Sequence, residues 1–218
     1  MLQDDGTIQA GKLDTLPHGK AIEKKLLTLY AAAGQPLPEI LSVWTTFPFS
    51  GSTVGTIFDP LGLDVKGIGI DAYYPPDGLL KTTKPPLRSV LFHNTILKLK
   101  ERAAKQSAPE EGFANYLFLL ELSHNWGPAL RVTGPTPDEL TGFPFHWSFF
   151  MDAGGSPAGG NQWKDSGNGT YTAIAATPST IACSKLDLYM MGLAKASEVP
   201  PFGVLESPVV PATPTDPL

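Results

Sequence analysis

The chain has 218 residues, 42% of them hydrophobic and 17% charged, which is enough apolar material to bury a core in one large domain. Its net charge of −5 and pI near 5.3 argue against a general nucleic-acid binder, and no apolar run reaches the roughly 18 residues that a membrane span needs. With 22 glycines and 22 prolines, long loops around a modest core are expected, and the single cysteine, Cys183, excludes an intrachain disulfide and reads as a small buried apolar residue.

Residues 1–17 lack apolar periodicity and read as a loose arm; their polar, acidic start lacks the basic and apolar regions of a signal peptide. The chain is therefore expected either in the cytoplasm or as a fragment of a longer secreted protein. From Lys20 to Ala33 the spacing is helical, with Ile22, Leu26, Leu29 and Tyr30 on one face and Glu23, Lys24 and Lys25 opposite. Gly34-Gln35-Pro36 ends that helix. Strands are expected at Ile40–Phe47, Lys66–Ala72 and Leu87–Phe92, from their β-branched, aromatic and apolar content. Gly67-Ile68-Gly69 has no third glycine at the offset that a dinucleotide loop requires. Thr95–Lys105 reads as a helix with Ile96, Leu97 and Leu99 inward. Ser107-Ala108-Pro109-Glu110 is a capping box that opens a longer helix running to about Trp126, stopped by Gly127-Pro128.

Beyond that point the chain reads as loop-rich. Phe145–Met151 is an aromatic cluster, Gly154–Gly160 is small and flexible, and Asp165–Tyr171 has hairpin-turn chemistry rather than the acidic spacing of a calcium loop. Ser184–Ala194 reads as a short helix with Leu186, Tyr189, Met190 and Leu193 facing the core. The tail, 207–218, is rich in proline. The span 18–206 is expected to form a single domain.

The long helix carries Leu120-Glu121-Leu122-Ser123-His124, an H-E-x-x-H pattern with leucine at the first histidine position. That pattern places two imidazoles one helical turn apart and a glutamate beside them to activate a zinc-bound water. Leucine has no lone pair to give a metal. Three further segments extend the comparison: His146-Trp147-Ser148-Phe149-Phe150, Gly160-Asn161-Gln162-Trp163-Lys164-Asp165-Ser166-Gly167-Asn168-Gly169-Thr170-Tyr171, and Leu186-Asp187-Leu188-Tyr189-Met190-Met191-Gly192-Leu193. Together with Glu121-Leu122-Ser123-His124-Asn125-Trp126, and in this order, they resemble a family of zincin-like domains of secreted bacterial proteins, over about Tyr30 to Phe202.

The resemblance implies an α+β, zincin-like fold: a twisted mixed sheet, an active-site helix beneath it and a loop-rich C-terminal half. It also implies an extracellular setting, a peptide or protein as substrate or ligand, and a Zn2+ site in which Glu121 is the general base and His124 and His146 are ligands. Asp152 is a candidate oxygen ligand, or a partner orienting a histidine. A catalytic zinc needs three protein ligands, so Leu120 leaves three readings open. One is a degenerate zincin with impaired or absent peptidase activity that binds peptides or proteins. Another is an active zinc peptidase rebuilt on His124, His146 and either Asp152 or His93. The last is a structural module. His18 matches no part of the pattern, and His93 otherwise reads as a polar residue ending a strand. Met190 and Met191 invite comparison with a methionine turn, but the helical spacing of Leu186, Tyr189, Met190 and Leu193 reads as a core-facing helix instead.

Overall fold

The computed structural model describes residue 6 and residues 20–48, 56–73, 87–105, 110–131, 141–142, 146–174, 177 and 180–205. The expected arm, His18, the Ser107 capping box and the Pro-rich tail lie outside the described residues. The class is α+β, with helices and mixed sheets. The span expected as one domain divides into two compact units: residues 1–64 with 73–110, and residues 65–72 with 111–218.

The first unit is built on a three-stranded sheet. Its strands are β1 (Ile40–Trp44), β2 (Thr56–Pro60) and β5 (Ser89–His93), with β5 in the middle, parallel to β1 and antiparallel to β2. A central strand covered on both faces has no solvent side, so all five residues of β5 are buried. Val90 and Phe92 point to the face occupied by helix α1 (Lys20–Ala32), where they join Ile22, Leu26, Leu41, Leu61 and Leu87 in one core. Burying a side chain such as Phe92 contributes about 1.5–3 kcal/mol. β1 stops at Trp44, shorter than the expected strand to Phe47, and Phe47 still packs on the core.

Two sequence expectations need correction here. Glu23 was assigned to the solvent face of α1, but it is 2% exposed, beside Ile22 and Leu26. Helix α2 (Ile96–Lys105), whose first turn is capped by Thr95 Oγ1 accepting from Lys98 N at 3.0 Å, buries Leu99 and Ala103. Ile96 (50% exposed) and Leu97 (65%) face outward.

Residues 65–72 of the second unit take in most of β3 (Asp64–Lys66) and β4 (Asp71–Tyr73), so the strand expected across Lys66–Ala72 is instead two short strands around a tight link. The glycines of that link serve close approach: Ile68 N donates to Ala129 O (2.9 Å) and Arg131 N to Ile68 O (2.7 Å). A Cβ on Gly67 would collide with the Ala129 carbonyl and side chain. Helix α3 (Glu110–Ser123) precedes this contact.

Among its described residues, the C-terminal half carries strands between its loops. A four-stranded mixed sheet runs β6 (Thr141–Gly142), β7 (His146–Asp152), β8 (Gly159–Gly167), β9 (Thr170–Ile174). The segment read as small and flexible, Gly154–Gly160, has Gly155 to Ala158 buried. Its small residues permit contact: a Cβ on Gly160 would lie 2.6 Å from that of Ala153. The β8–β9 hairpin turns at Asn168 (φ 57°) and Gly169 (φ 73°), the left-handed pair that an Asn-Gly turn supplies. Helix α4 (Lys185–Met190) follows. Leu186, Tyr189 and Met190 pack with Leu130, Trp147 and Met151, as the helical spacing predicts. Leu193 lies beyond the helix and is 73% exposed, against expectation.

Candidate functional site

α3 ends at Ser123, earlier than the Gly127-Pro128 stop, because side chains there take up its last carbonyls. Ser123 Oγ donates to Leu120 O at 2.7 Å and Asn125 Nδ2 to Leu122 O at 3.1 Å. The amides of Trp126 and Gly127 close on Ser123 O at 2.9 and 3.2 Å. Helical carbonyls satisfied this way need no further turn. His124 therefore stands in the tight turn just past the helix, 6% exposed, rather than within the helix.

That turn brings His124 to His146, the first residue of β7. Their ring centroids are 5.0 Å apart and their planes 4° from parallel. The two residues that the motif comparison nominated are thus neighbours, although 22 positions separate them in the chain. Glu121 is also buried, at 6% exposure on α3. Leu120 is half-buried and supplies no donor atom.

Asp152 lies at the far end of β7, where its Oδ1 accepts from Gly154 N at 3.2 Å in the turn that follows the strand. His93 is fully buried in the first unit, stacked on Trp44 with centroids 4.4 Å apart. Burial alone lowers its pKa to about 4.

A zinc ion lies in the plane of each imidazole that binds it, along the nitrogen lone pair. Their centroid separation of 5.0 Å sets the two imidazoles of His124 and His146 side by side, and a shared ion would need a nitrogen of each ring to face it. Among the described residues no group of three His, Cys, Asp or Glu side chains is placed to hold a metal. Among the described residues, two histidines fall one short of the three protein ligands of a catalytic zinc site.

Sequence reasoning missed the polar contact beneath this pair. Trp147, next to His146 and 3% exposed, donates its indole Nε1 to Asp187 Oδ1 at 2.8 Å. Asp187 Oδ2 accepts from Ser184 N at 2.6 Å, while Ser184 Oγ accepts from Asp187 N at 3.1 Å. The carboxylate thus closes the capping box of α4 and anchors β7 to it. Trp147 and Asp187 line a small recess with Ser123, Trp126, Gly127 and Met190. The Ser184-x-x-Asp187 spacing was the available signal for the cap; nothing local announced the tryptophan. Cys183, read as buried, is half-buried, and its thiol pKa is raised by burial and then by the Asp187 charge.

No family model, no curated protein and no solved structure matches the chain. Fold and site together define an α+β protein in which a buried histidine just past a helix meets a half-buried histidine that opens a strand, and no helix among the described residues is long and apolar enough to cross a membrane.

Proposed function

We propose that the second unit carries a zincin-like hydrolytic site that has been dismantled, leaving a domain that binds a peptide or protein without cutting it. The observation that carries this reading is the His124–His146 stack, 5.0 Å between centroids, with Leu120 one helical turn before His124. Two residues that the motif comparison assigns as ligands lie together, while the third position holds a side chain with no lone pair. Without a metal-bound water, Glu121 has no polarised nucleophile to deprotonate. The resemblance to domains of secreted bacterial proteins supports a setting outside the cell, and Leu120 at a ligand position supports Zn2+ as a lost or weak ligand.

The test is zinc titration by calorimetry, with elemental analysis after dialysis, on the native chain and on Leu120→His. The native chain should retain no stoichiometric zinc. Leu120→His supplies a third imidazole and should gain affinity by roughly 100-fold, taking a third to a quarter of the ~10–16 kcal/mol of a complete structural site and allowing for ring rotation. One tightly held zinc in the native chain would mean an active site rebuilt on His124 and His146. A Leu120→His variant that stays folded and metal-free would refute the zincin reading itself.

A further inference from the structure

Beyond Asn161, β8 has left β7: the β7–β8 pairing ends at Asp152 with Asn161, and from Gln162 to Gly167 the strand pairs with β9 alone among the described residues. Lys164, Asp165 and Ser166 are exposed, and so is every residue of β9. Trp163 is the one residue of this stretch with an aromatic contact, edge-on to Phe149 at 5.6 Å. Among the described residues the result is a two-stranded ribbon with wet faces and an edge that no other described strand pairs. Such a ribbon is marginal in water by itself and gains from additional strands. Among the described residues its edge carries no proline; the exposed Lys164 and the register shift between Asp165 and Gly167 oppose indiscriminate edge pairing and leave a contact that must satisfy that lysine.

The charges on that edge indicate the occupant. From Gln162 to Ile174 the ribbon holds one lysine and one aspartate, Lys164 and Asp165, side by side. A net-neutral ribbon on an acidic chain does not suit nucleic acid. In an antiparallel pair of β8 strands about a two-fold axis between these positions, Lys164 of each copy stands opposite Asp165 of the other. The contact is self-complementary, as a two-fold interface requires, and places opposite charges directly across the ladder. Asp165 keeps one oxygen available, since only Oδ1 is used, accepting from Gly167 N at 2.7 Å.

We propose that two copies of this chain associate through the β8 edges of their ribbons, forming a four-stranded β9-β8-β8-β9 sheet closed by two reciprocal Lys164–Asp165 pairs. The contact is smaller than the ~1,200 Å² of a stable complex, so the dimer is weak and concentration-dependent.

The experiment is sedimentation equilibrium of the full chain across a wide concentration range, at low salt and in 1 M salt. The native chain should show a monomer–dimer equilibrium that weakens in salt. Lys164→Asp sets aspartates against aspartates and should raise Kd on the order of 10- to 100-fold, with Lys164→Gln intermediate. Mixing the Lys164→Asp chain with an Asp165→Lys chain restores opposite charges across the edge and should recover association that neither variant shows alone. Circular dichroism confirms that each variant is folded, and the Lys164 substitutions alone decide the matter if Asp165→Lys is not. A native chain that stays monomeric throughout, or a dimer indifferent to Lys164→Asp, overturns the proposal.

Discussion

Replacing Asp187 with alanine tests the anchor between β7 and α4. The substitution removes the acceptor of the Trp147 indole, leaving a buried N–H without a partner, which costs about 1–3 kcal/mol. It also opens the capping box by removing the 2.6 Å bond from Ser184 N, worth about 0.5–2 kcal/mol. The two losses act on one side chain, so about 2–4 kcal/mol of destabilisation is expected, a large share of a domain's stability. Urea unfolding followed by tryptophan fluorescence should show a lower midpoint with an unchanged slope. Trp147→Phe removes the donor from the same bond, so the double variant should cost less than the sum of the singles by at least about 1 kcal/mol. Asp187→Asn keeps an acceptor for the indole but turns an amide toward Ser184 N, and should fall between native and alanine. An Asp187→Ala variant within about 0.5 kcal/mol of native, or singles that simply add, would refute the anchor.

Three other outcomes follow from local physics. His93 has a pKa of about 4 in the fold, against 6.5 for the ordinary imidazole. Between those values the unfolded chain binds a proton that the folded chain refuses, so stability is lost as pH falls from 6.5 to 4 and levels off below. The swing is at most about 3 kcal/mol, reduced by roughly 1 because the Trp44 face favours a stacked cation. Urea midpoints at pH 7 and pH 4.5 should differ less in His93→Gln than in the native chain. Gly67→Ala forces a methyl group into the Ala129 carbonyl and side chain and should cost about 2 kcal/mol or more, whereas Gly154→Ala meets open space and pays only for its φ of +63°, about 1 kcal/mol; thermal melts compare the two. Asn168→Ala, at φ 57° in the hairpin turn, should cost about 1 kcal/mol, while Asn168→Gly should be close to neutral in the same melts.

The elements legible in the sequence are those whose signals are local. The Asn168-Gly169 turn, the apolar β5 and the spacing of α1 each sit within about a dozen residues, and each forms within two residues of where its pattern places it. Helix ends were less legible because two kinds of stop compete. Gly127-Pro128 is the louder signal, but Ser123 and Asn125 satisfy the carbonyls of Leu120 and Leu122 first. Glu23 shows the limit of the helical wheel: its position adjoins Ile22 and Leu26, and its charge argues it outward, yet it is buried. Burial of a carboxylate is decided by what surrounds it in three dimensions, which a wheel does not contain.

The candidate site divides along the same line. His124 and His146 became a pair in the sequence only through motif order, because no local rule links residues 22 positions apart, and their parallel stacking has no signature in the motif. Trp147 and Asp187 are 40 positions apart. The capping half of that arrangement is legible in Ser184-x-x-Asp187, since it closes within one turn. The indole half is not, since it depends on β7 lying against α4. The polar contact is the firmer feature of the two: two donors converge on one buried carboxylate, and its removal has a cost whether or not the domain ever bound zinc. On the proposed reading, the histidine pair gains meaning from Leu120, which stands where the motif has its first ligand. Adding one imidazole at that position therefore tests the site's ancestry, while removing one carboxylate at Asp187 tests only the fold that supports it.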